Sequence, residues 1–184
     1  MNAAPASIEA PRSYAQWSAC LDRLSEGLHD EACLDAMRAG DLNASGGVVT
    51  LFSRRLADEF NARLTRCSEH LTRDLRVGGE ESLIVRAILN ARKHLAFLHR
   101  LAQVEIFPAT LRTHLIDELR KFAQRAQQSL EDSAKTDRSG RLLVLLRNNP
   151  LVRYESAVAG VPAAGATAQP PISQTGVRRR NIIL

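Results

Sequence analysis

Between Ser82 and Val104 the chain reads SLIVRAILNARKHLAFLHRLAQV. Ile84, Ile88, Ala91, Leu95, Leu98 and Ala102 recur at alternating spacings of four and three, the repeat of one helical face. Leu83 and Leu101 flank that stripe on one side, and Val85, Leu89 and Ala96 flank it on the other. A helix lying on a protein surface buries an apolar stripe of about a third of its circumference. Here apolar residues wrap most of it, so the segment predicts a central helix that several neighbours must cover. A helical bundle supplies such cover.

The neighbouring segments fit that demand. Val48 to Arg76 carries the longest stripe, through Phe52, Leu56, Phe60, Leu64, Cys67, Leu71 and Leu75. Arg55 with Glu59 and Glu69 with Arg73 stand at helical pairing distance on its outer side, the pattern of a solvated face. Gly78-Gly79 breaks the chain tightly, so the central helix is expected to fold back antiparallel. Pro108 suits the first position of a further helix whose stripe is Leu111, Leu115, Leu119, Phe122, Ala126 and Leu130. Upstream, Ser13-x-x-Gln16 is a capping-box pattern leading into Tyr14, Trp17, Leu21, Leu24 and Leu28. Asp30 suits the cap of a second short helix, with Gly40 as its left-handed terminus. Gly46-Gly47 reads as a turn, and the apolar run Leu142 to Leu146 as a short helix from near Ser139 to Asn149.

The expected fold is all-α: a helical bundle of three long antiparallel helices (48–76, 82–104 and 108–132), two shorter N-terminal helices (14–28 and 30–39) and a short closing helix. Residues 13–154 form the bundle, 1–12 a disordered N-terminus and 155–184 a disordered tail, because both ends are rich in small residues and proline without periodicity.

Motifs that carry chemistry are missing from the sequence. There is no H-E-x-x-H, G-x-S-x-G, C-x-x-C or G-x-x-x-x-G-K. Adjacent acids such as Asp58-Glu59 and Glu80-Glu81 point about 100° apart on a helix and do not form an acid–base pair. Cys20, Cys33 and Cys67 are odd in number and irregularly spaced, which speaks against a disulfide framework or a zinc site and for a reducing cytosol. Trp17 reads as a core anchor and Cys67 as a buried, inert thiol. The reading is therefore of no catalytic residues, no metal ligands and no cofactor. No apolar run approaches the length of a transmembrane helix, and no secretory signal is apparent, so the expected location is the cytoplasm. Arginine outnumbers lysine, whose only positions are Lys93, Lys121 and Lys135, as GC-rich bacterial coding would give.

Charge offers the one handle on partners. Residues 1–47 hold three Arg against seven acids, whereas 48–154 hold nineteen Lys and Arg against twelve. The central helix has no acid between Ser82 and Val104, yet carries Arg86, Arg92, Lys93 and Arg100. Carboxylates on neighbouring helices satisfy these groups, with Asp117, Glu118 and the acidic N-terminal helices as candidates, or the strip faces an acidic partner or anionic ligand. The tail ends in Arg178, Arg179 and Arg180 followed by Ile182, Ile183 and Leu184, which has the form of a tethered peptide ligand. Candidate partner-binding residues are thus Arg86, Lys93, Arg100, Arg178, Arg179, Arg180, Ile182, Ile183 and Leu184. The expected function is a non-enzymatic adaptor or accessory protein that binds other proteins. The alternatives are a nucleic-acid or anionic-surface binder using the same arginines, and an enzyme whose site the sequence hides.

Overall fold

Trp17 and Phe52 meet edge to face at 5.0 Å, and Phe107 closes the cluster at 6.0 Å and 5.5 Å from the two rings. These residues come from three separated stretches, which is how the N-terminal part joins the bundle. A computed structural model describes residues 8–26, 29–42, 46–77, 81–136 and 140–157. Its elements in chain order are α1 (Tyr14–Glu26), α2 (Glu31–Arg38), α3 (Gly46–Val77), α4 (Glu81–Ala102), α5 (Ala109–Thr136), α6 (Arg141–Asn148) and a 3-10 segment (Leu151–Ala157). Every regular element among the described residues is helical. None is long and apolar enough to cross a membrane.

The α3 stripe does what its spacing demands. Phe52, Leu56, Phe60, Leu64, Cys67 and Leu71 are all buried. Helix α4 buries Ile88, Ala91, Leu95, Leu98, Leu101 and Ala102 in the same core. Helices α3, α4 and α5 pack on one another, with α1 against α3 and α6 against α5. Arg63 meets His94, while Cys67 to Asp74 lie beside Ala87 to Ala91, so α3 and α4 run in opposite directions. On α5, Leu111, Leu115, Leu119 and Leu130 are buried. Ala123 and Ala134 join them, whereas Phe122 and Ala126 of the expected stripe are only half-buried.

Local signals set the first two helix starts. Gln16 N–H donates to Ser13 Oγ at 3.3 Å, and Ser13 N–H returns the bond to Gln16 Oε1 at 3.0 Å, completing the capping box. Asp30 Oδ1 accepts from Cys33 N–H at 2.9 Å at the start of α2. Other signals are used differently from the expectation. Pro108 is the residue before α5, its carbonyl accepting Arg112 N–H at 3.0 Å, so it caps the helix instead of starting it. Gly46-Gly47 is the first turn of α3, not a loop, because the helix accepts both glycines where nothing packs against them.

Gly40 follows α2 as predicted, but for a different reason. Among the described residues only Gly140 has a left-handed backbone, with φ of 63° ahead of α6. A Cβ on Gly40 would lie 2.8 Å from Trp17 Cζ2 and 3.0 Å from Pro11 O. The position requires glycine because the indole closes over it, with Trp17 Nε1 donating to Asp41 O at 3.0 Å.

After Asn149 the chain makes a further element that the sequence reading left out. Leu151 and Tyr154 of the 3-10 segment are buried, and that segment packs on α4 and α5. Arg92 Nη2 donates to Arg153 O at 2.9 Å, and Leu151 N–H donates to Gln127 Oε1 at 2.8 Å. The helical part therefore continues to Ala157, inside the stretch assigned to the tail.

Candidate functional site

Helix α4 changes character along its length. From Leu95 to Leu98 every residue is buried, but between Ser82 and Lys93 one face is open. Its exposed residues are Ser82, Leu83, Arg86, Leu89, Asn90 and Lys93. At 100° per residue they span a sector of about 120°, with Leu83 and Leu89 at its edges and the two cations between them. Leu83 is 41% and Leu89 38% exposed, so the wide apolar wrap is only partly covered.

The basic strip divides in two. Arg86 and Lys93 have no carboxylate within ion-pair distance among the described residues. Arg100 is engaged: its Nη1 and Nη2 donate to Glu31 Oε2 and Oε1 of α2 at 2.8 Å and 2.5 Å. The Arg100 hydrogen bonds hold the Glu31 carboxyl below its ordinary titration range. Asp117 and Glu118 do not serve the strip. They pair with Arg120 and Lys121 one turn along α5, at 3.2 Å and 2.9 Å. Arg92 is buried and pins the 3-10 segment, so it is no part of the open face.

Phe97 stands in the same line, one step beyond Lys93, and sequence reasoning passed over it. It is fully buried. The Arg63 guanidinium lies 5.0 Å above its ring and that of Arg100 5.8 Å, while His29 meets its edge at 5.7 Å. Arg63 is itself buried, and Nη1 donates to Leu24 O at 2.5 Å. Burial lowers its pKa to about 10, which still leaves it charged at neutral pH. Arg66 donates to Ser25 O at 2.5 Å and to Glu59 Oε1 at 2.6 Å. Two guanidinium groups of α3 thus satisfy the last carbonyls of α1, where the helix dipole favours cations.

The surface pairs on α3 also differ from the sequence pattern. Arg55 reaches across to Ser18 and Asp22 of α1 instead of Glu59, and Arg73 donates to His70 Nδ1 at 2.7 Å instead of pairing with Glu69. Interhelical partners outcompete helical spacing where α1 lies close.

A cavity of about 270 Å³ lies between α3 and α4, lined by Cys67, His70, Asp74, Asn90 and His94 among others. A cysteine beside histidines invites a nucleophilic reading, but the electrostatics oppose it. Burial pushes the Cys67 thiol up to about 12, so it stays protonated. Burial, aided by the Arg63 charge, holds His94 down to about 4. Its Nε2–H donates to Arg63 O at 3.3 Å, and its buried Nδ1 has no partner among the described residues. Among the described residues no three His, Cys, Asp or Glu side chains converge as metal ligands.

Of the sequence-predicted residues, the structure brings Arg86 and Lys93 onto one open face and takes Arg100 out of it. Arg178, Arg179, Arg180, Ile182, Ile183 and Leu184 lie outside the described residues. Compared with protein-family models, curated proteins and solved structures, the chain matches none.

Proposed function

We propose that the protein is a non-enzymatic helical adaptor, of the bacterial cytosolic kind, whose open α4 face docks an acidic amphipathic helix of a partner protein. What carries the reading is the composition of that face: Arg86 and Lys93 without carboxylate partners among the described residues, framed by exposed Leu83 and Leu89. Acidic residues on the incoming helix would meet the two cations, and its apolar stripe would cover the two leucines. Nucleic acid is the weaker reading, because the third cation of the strip, Arg100, is engaged with Glu31. Two exposed cations also give little of the phosphate neutralisation that duplex binding requires.

The test is a synthetic acidic amphipathic peptide of about 18 residues, long enough to be helical, with leucines on one stripe and glutamates beside it. Binding is followed by fluorescence anisotropy against a duplex oligonucleotide of equal charge. The expected result is saturable peptide binding that R86E/K93E reduces at least about tenfold, roughly 1.4 kcal/mol. Oligonucleotide binding that exceeds peptide binding and collapses with salt would assign the face to nucleic acid instead. No binding of either would remove the face as a docking site.

A further inference from the structure

The first turn of α2 sits on the continuation of the open face. Arg86, Asn90, Lys93, Phe97 and Arg100 follow one another at spacings of four, three, four and three, and so lie along a single line on α4. The first three are exposed. The fourth is buried, with Arg63 over its ring and His29 in edge contact, and the fifth is held by both oxygens of Glu31. His29 and Glu31 are sequence neighbours on either side of the α2 cap Asp30. One short stretch therefore places an aromatic ring on Phe97 and a carboxylate on Arg100. That is the chemistry of the occupant proposed for the exposed part.

We infer that Glu31 and His29 form an internal competitor, an autoinhibitory contact that covers the Phe97–Arg100 half of the docking face, and that a full-length acidic helix displaces it. The inference rests on the reading of α4 as a docking face and names how that face is regulated. The contact is suited to release. The side chains of Glu31 and Arg100 are 52% and 27% exposed, and an ion pair of that exposure is weak and salt-screened. Release would uncover the side of Phe97 that His29 covers, while Arg63 keeps its place over the ring, and extend the face from Leu83 to Arg100. Aromatic and arginine side chains are the residues that most often dominate helix-docking energetics.

The experiment uses the whole chain and the same acidic peptide. Glu31→Gln should tighten peptide binding about twofold to fivefold, the range set by losing one exposed ion pair. Asp35→Asn removes an acid from the same helix that pairs with Arg38 and not with Arg100, and controls for overall charge. It should leave the affinity nearly unchanged. Arg100→Gln in the E31Q background should abolish the gain. In the wild-type chain, saturating peptide should raise amide hydrogen exchange over residues 29–34, and this readout does not depend on any variant folding. If wild type binds the peptide but E31Q binds no better than D35N, or if exchange over 29–34 is unchanged, the competitor is overturned while the docking face stands. If wild type does not bind the peptide at all, both fall together.

Discussion

Arg63 lies over the ring of Phe97 at 5.0 Å and at the same time donates to the backbone oxygen of Leu24 at 2.5 Å. One buried guanidinium thus joins the end of α1 to the face of α4 from its seat on α3. Burying an arginine is unfavourable unless its donors are satisfied and its plane is packed. Here a helix C-terminus supplies the acceptor and an aromatic face supplies the packing.

Arg63→Leu should therefore destabilise the protein although it replaces a buried charge with a buried hydrocarbon. Leu24 O loses its donor, and the stacked contact with Phe97 is lost. The expected cost is about 2–4 kcal/mol, combining a charge-assisted hydrogen bond with the loss of a cation–π contact. Urea unfolding measures it. A variant as stable as wild type would mean that the guanidinium contributes nothing net and that apolar packing alone joins the three helices.

Acid should unfold the protein through His94. Its folded pKa is held down to about 4 by burial and by Arg63, below the ordinary value of 6.5. Between these values the unfolded chain binds a proton that the folded chain refuses. Stability contributed by the neutral ring is therefore complete above pH about 6.5 and declines as pH falls toward about 4, by up to roughly 3 kcal/mol. Burial lowers His29 and His99 as well, and both act in the same direction. His94→Gln should flatten the decline between pH 6.5 and 4, whatever it does to stability at neutral pH. Thermal melts across that range decide the matter. An unchanged slope in the variant would assign the acid sensitivity to other groups.

The helices were legible because periodicity reports burial directly. The stripe from Phe52 to Leu71 and the core line of α4 follow from spacing alone, and the Ser13 and Asp30 caps follow from short-range hydrogen-bonding chemistry. What periodicity could not supply is which polar residues are buried. Arg63, Arg92 and His94 sit among apolar neighbours because each reaches a backbone carbonyl or lies against another element, and no spacing rule encodes that. The same limit explains the strip on α4. Sequence charge placed Arg86, Lys93 and Arg100 together, and the fold separated them, since Glu31 is 69 residues from Arg100 in sequence. Phe97 was the available signal: an aromatic in line with cations on the polar side of a helix marks a place where another element covers that side.

The 3-10 segment after Pro150 gives the sharpest test of where the folded part ends. Composition alone places a boundary near Tyr154, yet Leu151 is fully buried and Tyr154 is 5% exposed, both against the core. The segment is fixed at two further points by Arg92 to Arg153 O and by Leu151 N–H to Gln127 Oε1. Removing it would uncover part of α4 and leave the buried Arg92 without that acceptor. Burial of a leucine and a tyrosine together contributes about 3–6 kcal/mol. A chain ending at Asn149 should therefore be less stable by about that amount than one ending at Ala157, with the loss visible as a lower urea midpoint and faster amide exchange in α4. If the two truncated chains unfold at the same midpoint, the segment decorates the bundle without stabilising it, and α4 takes its cover from α3, α5 and α6.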